Sequence, residues 1–131
     1  MKNRIKYITV LVLATFMLSA CVKEEPQDTS ASFTTNIKDN ILKVNEDFTI
    51  YLDKTNGEFL TYFKGDSEET TYGIGKSGTP LREKGLDSLS ISGYSEPNDE
   101  GYTFTLVARS FGNWSEDMAE DVQSIVIKVV E

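Results

Sequence analysis

The sequence predicts an all-β sandwich of about seven strands, and three observations predict it. Apolar and polar residues alternate with period two in short segments, as strands with one buried face require. Clusters of Gly, Asn, Asp and Ser separate those segments. Beyond the first 20 residues nothing sustains helical spacing for more than about two turns. In chain order, Phe33, Thr35 and Ile37 begin the pattern. Phe48, Ile50 and Leu52 alternate with Thr49 and Tyr51, and Asn56-Gly57 reads as a tight turn. Phe59 to Phe63 (FLTYF) is a third strand, closed by Gly65-Asp66, and Thr70 to Ile74 is a candidate for a further one. Leu89 and Ile91 alternate with Ser88, Ser90 and Ser92. The longest strand sets Tyr102, Phe104, Leu106 and Ala108 against Thr103, Thr105, Val107 and Arg109. Ser115 to Asp121 reads either as one helical turn, with Met118 and Val122 four apart, or as loop. Ile125, Ile127 and Val129 close the chain against Ser124, Val126, Lys128 and Val130. The predicted core is Phe33, Phe48, Ile50, Leu52, Phe63, Tyr102, Phe104, Leu106, Ile125 and Ile127.

The composition narrows the chemistry. The chain has 131 residues, 13 basic and 21 acidic, no His and one Cys, which supports a single domain. Without His there is no imidazole base, no Ser-His-Asp triad and no imidazole metal ligand. One Cys excludes an internal disulfide, a thiolate zinc cage and an iron–sulfur cluster. A net charge of −8 repels nucleic-acid phosphates.

Lys2, Arg4 and Lys6 precede an apolar run of 12 residues, Tyr7 to Leu18. A run that short does not span a bilayer and fits the apolar region of an export signal. It ends in Leu18-Ser19-Ala20-Cys21, which resembles the lipobox of bacterial lipoproteins. The resemblance implies a signal peptide over residues 1–20, cleavage before Cys21, a diacylglycerol on its thiol and acylation of the new amino group. Several acyl chains together make such an anchor stable. An ordinary secretory signal with a chance Cys, or an N-terminal membrane anchor, is the alternative reading of the same residues. Loss of residues 1–20 leaves 111 residues with 10 basic and 21 acidic, because Lys2, Arg4 and Lys6 are the charges removed. A body of net −11 is repelled by anionic headgroups, so only its lipid is expected to touch the membrane.

Lys23-Glu24-Glu25, just behind Cys21, resembles the surface-export signal of Bacteroidetes-type lipoproteins and implies display on the outer leaflet of the outer membrane. Read as charge alone, it is a solvated run. Val22 to Ser32 is polar and aperiodic and reads as a flexible tether, whose eleven residues reach about 17–20 Å. The folded domain is then expected over residues 33–131.

Ala31-Ser32-Phe33, Asn45-Glu46-Asp47-Phe48-Thr49-Ile50, Phe59 to Asp66 (FLTYFKGD) and Gly101 to Ser110 (GYTFTLVARS) resemble the Ig-like PKD domain. They are similar above all to the PKD-like modules of Bacteroidetes surface lipoproteins. The closing segment, from Phe111-Gly112-Asn113-Trp114 through Glu120-Asp121-Val122, shares the likeness. The Trp-Asp-Phe-Gly-Asp-Gly string of the usual repeat is missing, with Phe63, Gly65 and Asp66 near its place. The resemblance implies an Ig-like sandwich used for binding or spacing and not for catalysis.

Trp114, with Asn113 beside it, sits in a stretch of small and polar residues. An exposed indole there can stack on a sugar face while the amide offers hydrogen bonds; the alternative is that Trp114 or Phe111 folds back to plug the sandwich. Asp66, Glu68 and Glu69, and Glu116, Asp117, Glu120 and Asp121, are acidic clusters that match no calcium-loop spacing and read as solvated loop charge. Gly73 to Gly78 (GIGKSG) lacks the full phosphate-loop pattern and reads as a loop. Asp87-Ser88-Leu89 resembles the three-residue O-glycosylation site of Bacteroidetes exported proteins. No catalytic residue, cofactor or metal ligand is expected. The expected function is a non-enzymatic, lipid-anchored surface module that binds an extracellular ligand, a glycan, through loops at the end of the sandwich away from the tether. The alternative is a subunit that docks to another surface protein through an exposed apolar patch, with Val107, Val126 and Val130 as its candidates.

Overall fold

The computed structural model describes residues 29–81, 85–111 and 118–131. It is an all-β sandwich. The strands are β1 (Ser30–Ala31), β2 (Thr34–Thr35), β3 (Ile41–Lys43), β4 (Phe48–Tyr51), β5 (Thr55–Asn56), β6 (Phe59–Phe63), β7 (Thr79–Pro80), β8 (Ser88–Ile91), β9 (Asn98–Ser110) and β10 (Ala119–Val130). One layer is a three-stranded sheet ordered β2-β4-β8, and the other a five-stranded sheet ordered β3-β10-β9-β6-β7. β1 and β5 form a small separate pair. All pairings are antiparallel except that of β3 with the end of β10. Taking the first, second, third, fifth, sixth and seventh strands of the immunoglobulin fold as β2, β4, β6, β8, β9 and β10, this is its strand order.

The first strand changes sheets. Asp39 and Asn40, with φ of 55° and 57°, make the corner between β2 and β3. Asn and Asp tolerate this left-handed backbone better than other side chains with a Cβ. The core lies between the layers. Phe33, Phe48, Ile50, Leu52 and Ile91 meet Leu42, Phe104, Leu106, Ala108, Ile127 and Val129, and Tyr94 is fully enclosed among them. Among the described residues every buried side chain falls between Ala31 and Val129.

Tyr102, at the start of β9, donates its hydroxyl to the carbonyl of Glu96 at 3.1 Å. This is the tyrosine corner of Ig-like sandwiches, which clamps the crossover into the sixth strand. The N-terminal segment is held by side chains. The amide of Gln123 accepts from the N–H of Phe33 at 3.2 Å and donates to its carbonyl at 3.1 Å, and Asp121 accepts from the N–H of Ala31 at 2.7 Å.

The structure corrects several expectations. The sandwich begins by Ser30, ahead of residue 33, because Ala31 is buried and β1 pairs with β5. Asn56-Gly57 is not the turn: Thr55 donates its N–H to Leu52 at 2.9 Å, and Asn56 is paired with Ser30. Thr70 to Ile74 forms no strand, and the partner of β6 on that side is the two-residue β7. Ala119 to Asp121 is strand, not a helical turn, because it is in register with Ser110 to Ala108. Tyr102 and Ile125 are partly buried at the margin of the core. Phe63 is buried, yet on the opposite face of its sheet from Phe104, for the reason given next.

Candidate functional site

The segment between β6 and β7, residues 64–78, lies across the outer face of the five-stranded sheet. Its course is set at both ends by glycines with positive φ. Gly65, at 75°, comes so close to the backbone of Thr103 that any side chain would collide with it. Gly78, at 65°, packs on the ring of Phe63, where a Cβ would stand 2.8 Å from the ring carbons. Between them the segment reaches far enough for Tyr72 to meet Phe63 edge-on, with ring centroids 5.4 Å apart. Val107 and Phe63, which sheet alternation alone turns to solvent, are thereby fully buried. Beside them the Thr105 and Ser124 hydroxyls share a 2.8 Å hydrogen bond.

Two polar clusters fasten this strap. At its far reach, Tyr72 donates its hydroxyl to Glu120 at 3.0 Å, and the Nε of Arg109 donates to the other carboxylate oxygen at 2.7 Å. The Arg109 guanidinium first, and the Tyr72 hydroxyl second, hold the Glu120 carboxyl below its usual range. Accepting that hydrogen bond, Glu120 in turn raises the Tyr72 phenol. At the root, the Lys64 ammonium donates to the carbonyl of Gly93 at 3.0 Å, lies 3.5 Å from Asp66 and sits 4.8 Å above the ring of Tyr94. Tyr94 returns a hydrogen bond from its hydroxyl to the carbonyl of Lys64 at 2.8 Å. Burial pushes its phenol well above the ordinary value.

Two clefts border the strap. One of about 490 Å³ lies between β6–β7 and the strap, lined by Lys64, Glu69, Thr70, Lys76, Ser77 and Thr79 among others. A second, of about 370 Å³, is walled by Tyr72, Ile74, Lys76, Arg109 and Glu120. The cations are already engaged: Lys76 donates to the carbonyl of Glu68, and Lys64 and Arg109 as described. Asp66 accepts from Thr70 at 2.7 Å. Among the described residues no group of three or more acidic or Cys side chains is gathered to hold a metal ion.

Exposed aromatic rings stand on the same outer face beside the far reach of the strap, where Phe59 is in register with Arg109. Phe59 opens β6 and Phe111 follows β9; their rings meet edge to face at 4.7 Å, and they are 50% and 57% exposed. The N–H of Phe111 donates to Glu58 at 3.4 Å. Phe111 borders the segment carrying Asn113 and Trp114. Those two residues lie outside the described ones, as do Cys21, Lys23, Glu24 and Glu25. Ser110, next to Phe111, accepts a 2.8 Å hydrogen bond from Thr29, the first described residue. Thr29 and Phe111 therefore stand at one end of the sandwich.

Of the other predicted features, Asp66 and Glu69 belong to the strap and its cleft, and Ser88 opens the edge strand β8 in an exposed position. Val107 drops out of the expected apolar patch, since the strap covers it. Sequence reasoning missed Tyr94, Tyr72 and Phe59. Tyr94 and Tyr72 stand in Ser- and Gly-rich segments with no periodicity, and the odd–even pattern of FLTYF offered the only signal for Phe59. Comparison with family models, with curated proteins and with solved structures finds no match for this chain. The fold and its side chains carry the functional argument.

Proposed function

We propose that this chain is a non-enzymatic, lipid-anchored binding module of the PKD-like type. It is held at Cys21 on the outer face of the outer membrane, and its aromatic end contacts an extracellular glycan. The observation that carries the reading is the exposed Phe59–Phe111 pair bordering the Asn113–Trp114 loop. Aromatic faces with amide and carboxylate groups beside them suit a sugar, which has an apolar face and a polar rim. At about 3.3–3.6 Å per residue, the stretch from Cys21 to Thr29 spans at most roughly 30 Å. The aromatic end thus works close to the bilayer, and its ligand is membrane-proximal polysaccharide. The test is glycan-array and affinity-gel binding of the chain from Val22 onward. Trp114→Ala and Phe59→Ala are each expected to abolish retention. Unchanged retention in both variants, or no binding to any glycan, overturns the glycan reading.

The second reading, docking to another surface protein, is favoured by the half of the five-stranded sheet that the strap leaves open, where Ile41 and Val126 are exposed. Localisation is tested separately by replacing Lys23, Glu24 and Glu25 with Ala. Loss of protease access on intact cells is expected, and persistent access overturns the surface-signal assignment.

A further inference from the structure

β10 is paired with β9 along Ala119 to Ile127, but its other edge meets β3 only at Lys128 to Val130. Along Ala119 to Ile127 that edge has no strand partner among the described residues. Such an edge offers a row of backbone donors and acceptors to any strand that fits. Natural edges are usually blunted by Lys, Pro or a free inward charge. Here neither Lys nor Pro falls between Met118 and Ile127. The two acidic groups are already committed, Glu120 to Arg109 and Tyr72, and Asp121 to the N–H of Ala31. The outward side chains include Met118, Val122 and Val126, which are 52%, 36% and 49% exposed.

We infer that this edge pairs antiparallel with the same edge of a second copy, about a two-fold axis at Val122. Two constraints select the register. β3 already occupies the edge from Lys128 onward, so a partner strand stops before that residue. Within the remaining length, centring on Val122 sets Val122 against its own mate and Met118 against Val126. Glu120 then faces Ser124, and Asp121 faces Gln123. Every exposed apolar side chain of the strand meets an apolar one, and no like charges stand opposite each other. Centring one residue later sets Glu120 against Val126, and centring two later drives Glu120 into the place of Ile41. The contact is isologous and closes as a dimer with one continuous sheet across it. It is independent of the glycan reading, since neither Phe59 nor Phe111 belongs to β10.

Cysteine cross-linking and sedimentation of the chain from Val22 onward, which lacks any other thiol, test this. Val122→Cys is expected to form a disulfide-linked dimer under mild oxidation. Ser124→Cys is not, because its mate stands four residues away along the strand, beyond the Cα separation a disulfide allows. Val122→Lys sets two ammonium groups face to face and is expected to weaken self-association by about thirtyfold or more, the scale of a central hot spot. Its far-ultraviolet circular dichroism should match the parent chain. Cross-linking of Ser124→Cys without Val122→Cys overturns the register. A parent chain that sediments as a monomer at every concentration, or a Val122→Lys chain that is folded and still dimeric, overturns the inference. Should Val122→Lys fail to fold, the paired cysteine results decide it.

Discussion

Phe48 and Phe104 meet edge to face across the sandwich, with ring centroids 5.6 Å apart and planes at 83°. They come from opposite layers, β4 and β9. Phe104 stands two residues after the corner tyrosine, the place where antibody domains carry the second cysteine of their inter-sheet disulfide. In a chain with a single Cys, which can form no internal disulfide, an aromatic cluster does that work. Phe104 also touches Phe33 at 5.7 Å and Tyr62 at 5.7 Å, so three strand segments and the N-terminal stretch converge on one ring.

Phe104→Ala is therefore expected to cost about 3–5 kcal/mol, because three neighbouring rings cannot all collapse into the cavity. A denaturant titration of the purified domain measures it. A midpoint close to that of the parent chain would show that this ring is not the hub of the core.

Tyr94 couples the core to the strap through its hydroxyl bond to Lys64. Tyr94→Phe leaves that carbonyl without its donor and is expected to cost about 1–2 kcal/mol at neutral pH. The same residue sets an alkaline limit. Burial raises its phenol above the ordinary 10.0, so the folded chain keeps a proton that the unfolded chain gives up. Stability is intact below pH 10 and falls as pH rises beyond it, by about 1.4 kcal/mol per pH unit. Urea midpoints across alkaline pH should fall more gently in Tyr94→Phe than in the parent.

Glu120 acts in the opposite direction. Its folded value lies below the ordinary 4.5, chiefly through Arg109. Its contribution is thus present above pH 4.5 and disappears as pH drops through the folded value. The group is partly exposed, so the effect is small, under about 1 kcal/mol. Glu120→Gln should be slightly less stable than the parent at pH 7, by a margin that shrinks as pH falls below 4.5. A margin that does not change with pH would mean that packing of the strap, and not charge, is what the substitution disturbs.

Among the described residues the buried Thr61 hydroxyl finds no hydrogen-bond partner. Thr61→Val replaces it with a methyl group of the same shape and removes an unmet desolvation cost. The variant should equal or exceed the parent in stability, by up to about 1 kcal/mol. Calorimetric melting decides it, and a clear loss would reveal a partner for that oxygen.

The paired strands and most of the core were legible in the sequence because their signal is local. Phe48–Ile50, Tyr102–Ala108 and Ile125–Val129 each alternate within one strand, and one face of such a strand must be apolar wherever it packs. Of the binding surfaces less was legible. Phe59 and Phe111 stand far apart in the chain and become a pair only because β6 and β9 are neighbours, with Phe59 in register with Arg109.

The amino-acid order by itself determined that the chain is all strand, which side chains line each strand's inner face, and that no His-based or disulfide chemistry is available. Tertiary structure alone decided the rest. It buried Val107 and Phe63 under a strap that alternation cannot foresee, and enclosed Tyr94 from a segment with no period. It brought Thr29 beside Ser110, at the end where Phe111 is exposed, and it left one edge of β10 without a strand partner among the described residues. Periodicity reports which way a side chain points from its own strand, whereas burial, pairing and exposure depend on what another part of the chain lays over it.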